Sequence, residues 1–306
     1  TTEFHRETVA LDARTGDELW RSTGEPQTSS GDTTMLTEHT DQGRIRSLRL
    51  VRVGDGSPIW TKSPSGVQQQ AIGLRNQEPD RLILVGAGGE VTVYRYADGE
   101  QITQGRIPWT VPRPDEGHYT GLNAADGYLV VNQSRPEKTE QLVYRLDTMT
   151  QLWRTRATDG YAFHCGAARL CLNEGNALVA RDIATGARLW AAQSSGDLFP
   201  VTDERLLTDT GFADGTPALI DAATGRIISS GGPGSTVWNS QAGDHILLLR
   251  PTMRPFGRTM VIRWSLRDGR QHLLGAMEWQ TSQRCQTVPG FLACSRYDRL
   301  QVTAVG

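Results

Sequence analysis

Residues 12–20 read Asp-Ala-Arg-Thr-Gly-Asp-Glu-Leu-Trp, and residues 182–190 read Asp-Ile-Ala-Thr-Gly-Ala-Arg-Leu-Trp. Both stretches place Thr-Gly shortly after an aspartate and a tryptophan four residues after the glycine. With that register set, weaker copies emerge. Asp55-Gly56 leads to Trp60, Asp98-Gly99 to Thr103, Thr148-Met149 to Trp153, Thr224-Gly225 to Ser229 and Asp268-Gly269 to Leu273. The turn position falls at 16, 56, 99, 149, 186, 225 and 269, at intervals of 37 to 50 residues.

Each copy predicts a strand, a tight turn and a strand. Thr-Gly or Asp-Gly supplies the positive φ that a two-residue hairpin needs. The flanks alternate as half-buried strands do, with Val91 and Val93 around Thr92. Further strand-and-turn stretches lie between the copies, such as Tyr128–Val131 and His245–Leu249. Helical periodicity is almost absent. About four strands in each period, repeated along the chain, predict a β-propeller. The expectation is one all-β domain over residues 1–306, built of four-stranded antiparallel blades, with seven blades favoured and eight as the alternative. Thr8–Leu11 and Glu18–Trp20 read as outer strands without inner ones, whereas Phe291–Cys294 and Leu300–Val305 read as inner strands without an outer one. The two ends are expected to complete one blade together and so hide their edges. One strand is left over, which keeps eight blades open.

Composition narrows the class of function. The chain has 306 residues, 37% of them hydrophobic, with 32 basic against 34 acidic side chains and a formal net charge of -2. That excludes disordered, collagen-like and coiled-coil chains. By net charge it offers no nucleic-acid stripe and no pull to an anionic membrane. Apolar runs such as Leu82–Val85 are far too short to span a bilayer. Only Lys62 and Lys138 are lysines, and an arginine bias of this kind fits a GC-rich coding genome. The chain begins Thr1-Thr2, which reads as cut from something longer, with a signal, an anchor or another domain before it.

The element at residues 10–20 and its copy near 180–190 resemble the tryptophan-docking motif of PQQ-like, quinoprotein-type β-propellers, of actinobacterial type by the arginine bias. The period covers nearly the whole chain. The resemblance implies that Trp20, Trp60, Trp153 and Trp190 pack between blades and close a girdle. Quinone-dependent dehydrogenases of this family carry an adjacent Cys-Cys disulfide, a calcium site and an aspartate base. Here no two cysteines are adjacent, and the chain is much shorter. The resemblance therefore implies the scaffold without the quinone site: no cofactor, no metal and no PQQ-dependent dehydrogenase.

The cysteines are Cys165, Cys171, Cys285 and Cys294. Neither pair has the spacing of a zinc site. A hairpin turning at Pro289-Gly290 sets Cys285 opposite Cys294 at a non-hydrogen-bonded position, where Cα atoms lie about 4.5 Å apart. Cys165 and Cys171 are symmetric about Ala168. Two within-hairpin disulfides, Cys165–Cys171 and Cys285–Cys294, are expected, and with them an oxidising compartment. The alternative is four buried thiols in a cytosolic protein.

No G-x-S-x-G elbow, H-E-x-x-H pair or phosphate-binding loop is present, and no catalytic residue stands out. Asn132-Gln133-Ser134 matches a glycosylation acceptor. The longest interval carries Trp109, Asp115, His118 and Tyr119 among prolines, and long loops often bind ligands. A second loop, Pro251 to Arg258, carries Arg254 and Phe256, while Trp238 and His164 begin inner strands. The ligand-binding set is thus Trp109, Asp115, His118, Tyr119, Trp238 and Arg254. The leading reading is a non-enzymatic extracytoplasmic propeller, a sensor or scaffold, binding a protein or small molecule at a loop face. It would be secreted or anchored, monomeric, and without nucleic acid or a membrane span. Relatives used in this way include an envelope-assembly scaffold of Gram-negative bacteria and propeller domains of actinobacterial membrane proteins, some attached to Ser/Thr kinases. The alternative is an enzyme, a lyase, hydrolase or isomerase of a secondary pathway, with His118 or His164 as acid–base at the axial mouth.

Overall fold

The computed structural model describes the chain apart from residues 1–5, 76–77, 110–114, 116, 137, 158–161, 175–176, 194–196, 210–215, 238–242, 279–284, 289, 297–298 and 306. It is all-β. β1 (Glu7–Leu11) and β2 (Glu18–Thr23) form a two-stranded sheet. β3 (Glu25–Ser30), β4 (Thr33–His39), β5 (Ile45–Arg52) and β6 (Pro58–Lys62) form a four-stranded antiparallel meander. β7 (Val67–Arg75), β8 (Glu78–Gly86), β9 (Glu90–Arg95) and β10 (Gln101–Arg106) form the next, followed by β11 (Tyr119–Ala125), β12 (Tyr128–Arg135), β13 (Lys138–Arg145) and β14 (Thr150–Ala157). One parallel pair, Leu74 with Ala125, joins these last two into an eight-stranded sheet.

Three more four-stranded sheets follow. They are β15 (Phe163–His164), β16 (Arg169–Glu174), β17 (Ala177–Asp182) and β18 (Arg188–Gln193); β19 (Asp197–Thr202), β20 (Arg205–Asp209), β21 (Ala218–Asp221) and β22 (Ile227–Ser230); and β23 (Ser235–Thr236), β24 (His245–Pro251), β25 (Arg258–Ser265) and β26 (Gln271–Glu278). β27 (Cys285–Val288), β28 (Phe291–Arg296) and β29 (Arg299–Ala304) form a three-stranded sheet. Serial four-stranded meanders are the blades of a β-propeller. Among the described residues, the strand pairing forms six such meanders. The strands at the two chain ends make separate two- and three-stranded sheets.

The chain divides into two compact units. Residues 1–164, 168–175 and 181–188 form one, and residues 165–167, 176–180 and 189–306 form the other. In the first, the uninterrupted run Leu82–Val85 shows why blades read as apolar on both faces. Leu82 and Leu84 enter a cluster with Met35, Leu50 and Tyr96, whereas Ile83 and Val85 enter another with Val91, Leu129 and Val131. Alternate side chains of a strand point to opposite faces, and each face is covered by a neighbouring sheet. Val130, between Leu129 and Val131, turns to a third cluster with Leu170, Leu172 and Ile183. In the second unit, Leu207, Leu219, Ile246 and Trp264 form one cluster. Val237, Leu247, Leu249 and the Cys285 and Cys294 sulfurs form another.

All seven turn positions have positive φ: Gly16 at 79°, Gly56 at 70°, Gly99 at 70°, Met149 at 52°, Gly186 at 74°, Gly225 at 72° and Gly269 at 69°. The loops are longer than the two residues expected. The Gly16 N–H donates to the Asp12 carbonyl at 2.8 Å and the Asp12 N–H to the Asp17 carbonyl at 2.9 Å, which encloses four residues. Asp182–Ala187 and Asp221–Arg226 close in the same way. The longer loop suits the aspartate of the motif. Its carboxylate accepts the N–H groups of Arg14 and Thr15 at 2.7 and 3.0 Å. Those two N–H donors hold the Asp12 carboxyl below the usual carboxylate range.

Cys285 stands opposite Cys294 in the β27–β28 register, with Cα atoms 4.0 Å apart and a disulfide between them. Cys165 and Cys171 are also disulfide-bonded, and no cysteine is free. Their hairpin is not centred on Ala168, however. Phe163 faces Cys171 and His164 faces Leu170, so the hairpin centres one residue earlier. Gly166 and Ala168 both take positive φ, 114° and 54°, and this irregular loop shifts the register.

Candidate functional site

A single geometry recurs between successive repeats. The Trp20 indole N–H donates to the Val53 carbonyl at 2.6 Å, Trp60 to Tyr96 at 2.8 Å, Trp153 to Ile183 at 2.8 Å and Trp190 to Ala222 at 3.0 Å. Each acceptor lies three residues before the turn position of the following repeat. The N–H of the same acceptor residue is satisfied within its own sheet, Tyr96 by Asp80 at 3.0 Å and Ile183 by Ala168 at 3.0 Å. Each indole also lies against the turn glycine. A Cβ added at Gly56 would meet Trp20 at 2.8 Å, at Gly99 Trp60 at 3.1 Å, at Gly186 Trp153 at 2.9 Å and at Gly225 Trp190 at 2.6 Å. The turn glycine thus serves twice, for its φ and for the close approach of a ring.

Three repeats have no tryptophan in this register, at Thr103, Ser229 and Leu273, and the first two compensate in a similar way. Thr103 and Ser229 take its place, and two residues later each repeat has a glycine, Gly105 or Gly231. The following repeat then supplies the bulk. A Cβ on Gly105 would meet the Met149 Cβ at 2.5 Å, and one on Gly231 would meet the Trp264 ring at 2.9 Å. Trp264 is fully buried, and its N–H reaches the Ser229 hydroxyl and the Gly269 carbonyl, both at 3.1 Å. The large side chain and the glycine have exchanged sides of the seam. No single position of the repeat records that exchange, so sequence reading missed it. The recurring glycine six residues after the turn was its available signal.

The loop residues named from the sequence have different environments. Trp109 follows β10 and packs against the cluster of Val85, Val91 and Val131. Its indole N–H is buried without a partner among the described residues. The segment before it is pinned. The Ile107 N–H donates to the Gly89 carbonyl at 2.9 Å, and the Gln133 amide to the Pro108 carbonyl at 2.6 Å. Asp115 is exposed, His118 is half-buried, and Tyr119 is exposed at the start of β11, opposite Ser134. These four belong to the first unit. Arg254 is exposed in the second, on the loop between β24 and β25, and Trp238 lies outside the described residues.

His164 on β15 is only 8% exposed, and neither ring nitrogen has a partner among the described residues. Burial pushes its pKa down to about 4, so the imidazole is neutral at ordinary pH. The chain leading into it is held by Asn132. The Asn132 amide donates to the Ala162 carbonyl at 3.1 Å and its oxygen accepts the Ala162 N–H at 2.8 Å. Asn132 is 2% exposed, so the side chain of the glycosylation pattern is already committed inside the protein. Among the described residues, no group of three or more His, Cys, Asp or Glu side chains is placed to hold a metal ion. Among the described residues, no helix is long and apolar enough to cross a membrane.

Residues 3–135 match the family model described as outer membrane protein assembly factor BamB. No curated protein matches the chain. Among solved structures, that of a eukaryotic initiation factor is 12% identical, covers 98% of this chain and 81% of its own, and aligns with a TM-score of 0.56. A chain of the mitotic checkpoint complex is 12% identical, covers 88% and 83%, and aligns with a TM-score of 0.51. These two likenesses show the fold alone. BamB from Moraxella catarrhalis is 16% identical over 87% of this chain and 78% of its own, with a TM-score of 0.45. Over residues 3–135, then, the chain is similar to the family described by the assembly factor BamB.

Proposed function

We propose that this chain is a non-enzymatic, extracytoplasmic binding propeller, a scaffold or sensor that holds a protein at a loop face. The observation that carries the reading is the match of residues 3–135 to a family described by an assembly factor. Such a role asks for rigid sheets and exposed loops rather than a reacting centre. The location is supported by the cysteines, all of which are disulfide-bonded, a state kept in oxidising compartments. Residues 1–306 act as one propeller in this reading, with Trp20, Trp60, Trp153 and Trp190 as its docking residues. Asp115 and Tyr119 are the exposed contact residues of its longest loop. The enzymatic alternative loses ground at His164, because a buried imidazole with a pKa of about 4 is poorly matched to acid–base work near neutrality.

Trp109 is a poor probe of this reading, because its ring packs into a core cluster. Tyr119 is a clean one. A photo-crosslinking residue placed at Asp115 or at Tyr119 in the exported protein is expected to give a discrete adduct with one protein. The same residue at Leu273 on β26 is expected to give none. Adducts of equal yield from all three positions, or from none, would refute the loop-face reading.

A further inference from the structure

We propose that the loop between β24 and β25 docks on an anionic phospholipid surface. Residues 252–257 read Thr-Met-Arg-Pro-Phe-Gly, with Pro251 paired to Thr259 at the base. The Thr252 N–H donates to the Arg258 carbonyl at 2.9 Å, and the Thr252 hydroxyl reaches the carbonyls of Arg258 and Pro255. The loop is thus braced by its own backbone, and its larger side chains are not needed to hold its shape. Met253 is 87% exposed and Phe256 is 92% exposed, the two highest values among the large apolar residues described. Single exposed apolar residues are ordinary on protein surfaces. Two of this size on one tip, both almost wholly in water, are not.

Charge points to the occupant. No acidic residue lies between positions 252 and 258. Arg254 is exposed between the two apolar side chains and has no partner among the described residues. Arg258 at the base donates to the Ala276 carbonyl at 3.0 Å and pairs in register with Glu278 on β26. Arg250 below it is committed to the carbonyls of Gly231 and Pro233. An apolar tip with an uncommitted guanidinium suits a membrane interface, where the acyl boundary takes the rings and chains and the phosphates take the cation. A long arginine stem lets the head stay at phosphate level while its neighbours enter. A fluid layer also moulds itself to a protruding tip, whereas a flat protein surface leaves it uncovered. One Phe, one Met and one Arg make a modest anchor, so the binding is reversible. This inference does not rest on the protein-binding reading.

The test is cosedimentation of the full chain with phosphatidylcholine vesicles, plain or with about one quarter phosphatidylglycerol. Binding to the anionic vesicles at millimolar lipid, weakened by salt, is expected. Phe256→Ser should lower the partition coefficient about tenfold or more, as loss of a buried aromatic predicts. Met253→Ser should lower it several-fold, and Arg254→Glu should abolish the preference for anionic lipid. Leu273→Ser, at an exposed position on β26 outside the loop, should leave binding unchanged. Because none of these side chains packs in a core, all variants should keep the parent unfolding midpoint. No binding to anionic vesicles, or binding undiminished in Phe256→Ser, overturns the proposal. A tip built for a pocket on a protein gives the first of those results.

Discussion

Trp153 illustrates how one side chain is used twice at a seam. Its ring covers Gly186 and its N–H satisfies the carbonyl of Ile183, a residue with no exposed surface. Trp153→Phe keeps most of the ring and orphans that carbonyl. It should cost about 1–3 kcal/mol, read as a lower denaturant midpoint at unchanged slope. The glycines separate backbone from packing. Gly16 and Gly225 have similar φ, 79° and 72°, but a Cβ meets nothing within 4 Å at Gly16 and meets Trp190 at 2.6 Å at Gly225. Both alanine variants incur the left-handed backbone cost, and Gly225→Ala should exceed Gly16→Ala by more than about 1 kcal/mol. His164 predicts a pH dependence. Its folded pKa of about 4 lies below the ordinary 6.5, so the unfolded chain binds the proton first. Stability is whole above pH 6.5 and falls as pH drops towards 4, by roughly 3 kcal/mol in total. His164→Leu should flatten that slope in urea melts taken across the same window.

At the scale of elements, the repeat's outer hairpin was the most legible feature. A short polar turn with a required φ and an alternating flank leave a local signature, and all seven turn positions are where the pattern sets them. Met149 was legible as an imperfect copy, although its partner was not. What it fits is Gly105, on a strand of the preceding repeat, and no local pattern connects the two. The Cys165 hairpin was misjudged for a related reason. Symmetric spacing assumes a regular ladder, and two positive-φ residues in a seven-residue stretch break it. The exchange at the Met149 seam can be tested by reversing it. Thr103 pairs with Val93 as Trp153 pairs with Val143, so it holds the tryptophan register. Thr103→Trp alone should destabilise, because Met149 occupies the space. Adding Met149→Gly should recover stability, with a favourable coupling of at least about 1 kcal/mol in a double-mutant cycle.

For the whole chain, composition excluded classes of function without choosing among the rest. The loop residues named as a site show why. Trp109, named as a ligand contact, is half-buried against a core cluster, while Met253 beside Arg254 drew no attention and is almost fully exposed. Exposure is a property of the folded chain, and the same aromatic or aliphatic residue serves a core or a surface. The cysteines give a test at this scale. Intact mass after alkylation should show no label before reduction and four labels after it. Removing Cys285 and Cys294 together should cost about 2–3 kcal/mol, given the short loop they close. The exchanged seams carry a consequence for how such a chain can change over generations. A set of identical repeats tolerates recombination that duplicates, drops or reorders its members. Here a deletion that placed the Trp60 repeat directly before the Met149 turn would set a ring against a side chain. Met149 is matched only to the repeat that carries Gly105. Crossovers at that junction are therefore selected against, while those between glycine-turn repeats remain open. Descendants of this chain should vary in repeat number except there and at the Gly231–Trp264 seam, which is restricted in the same way.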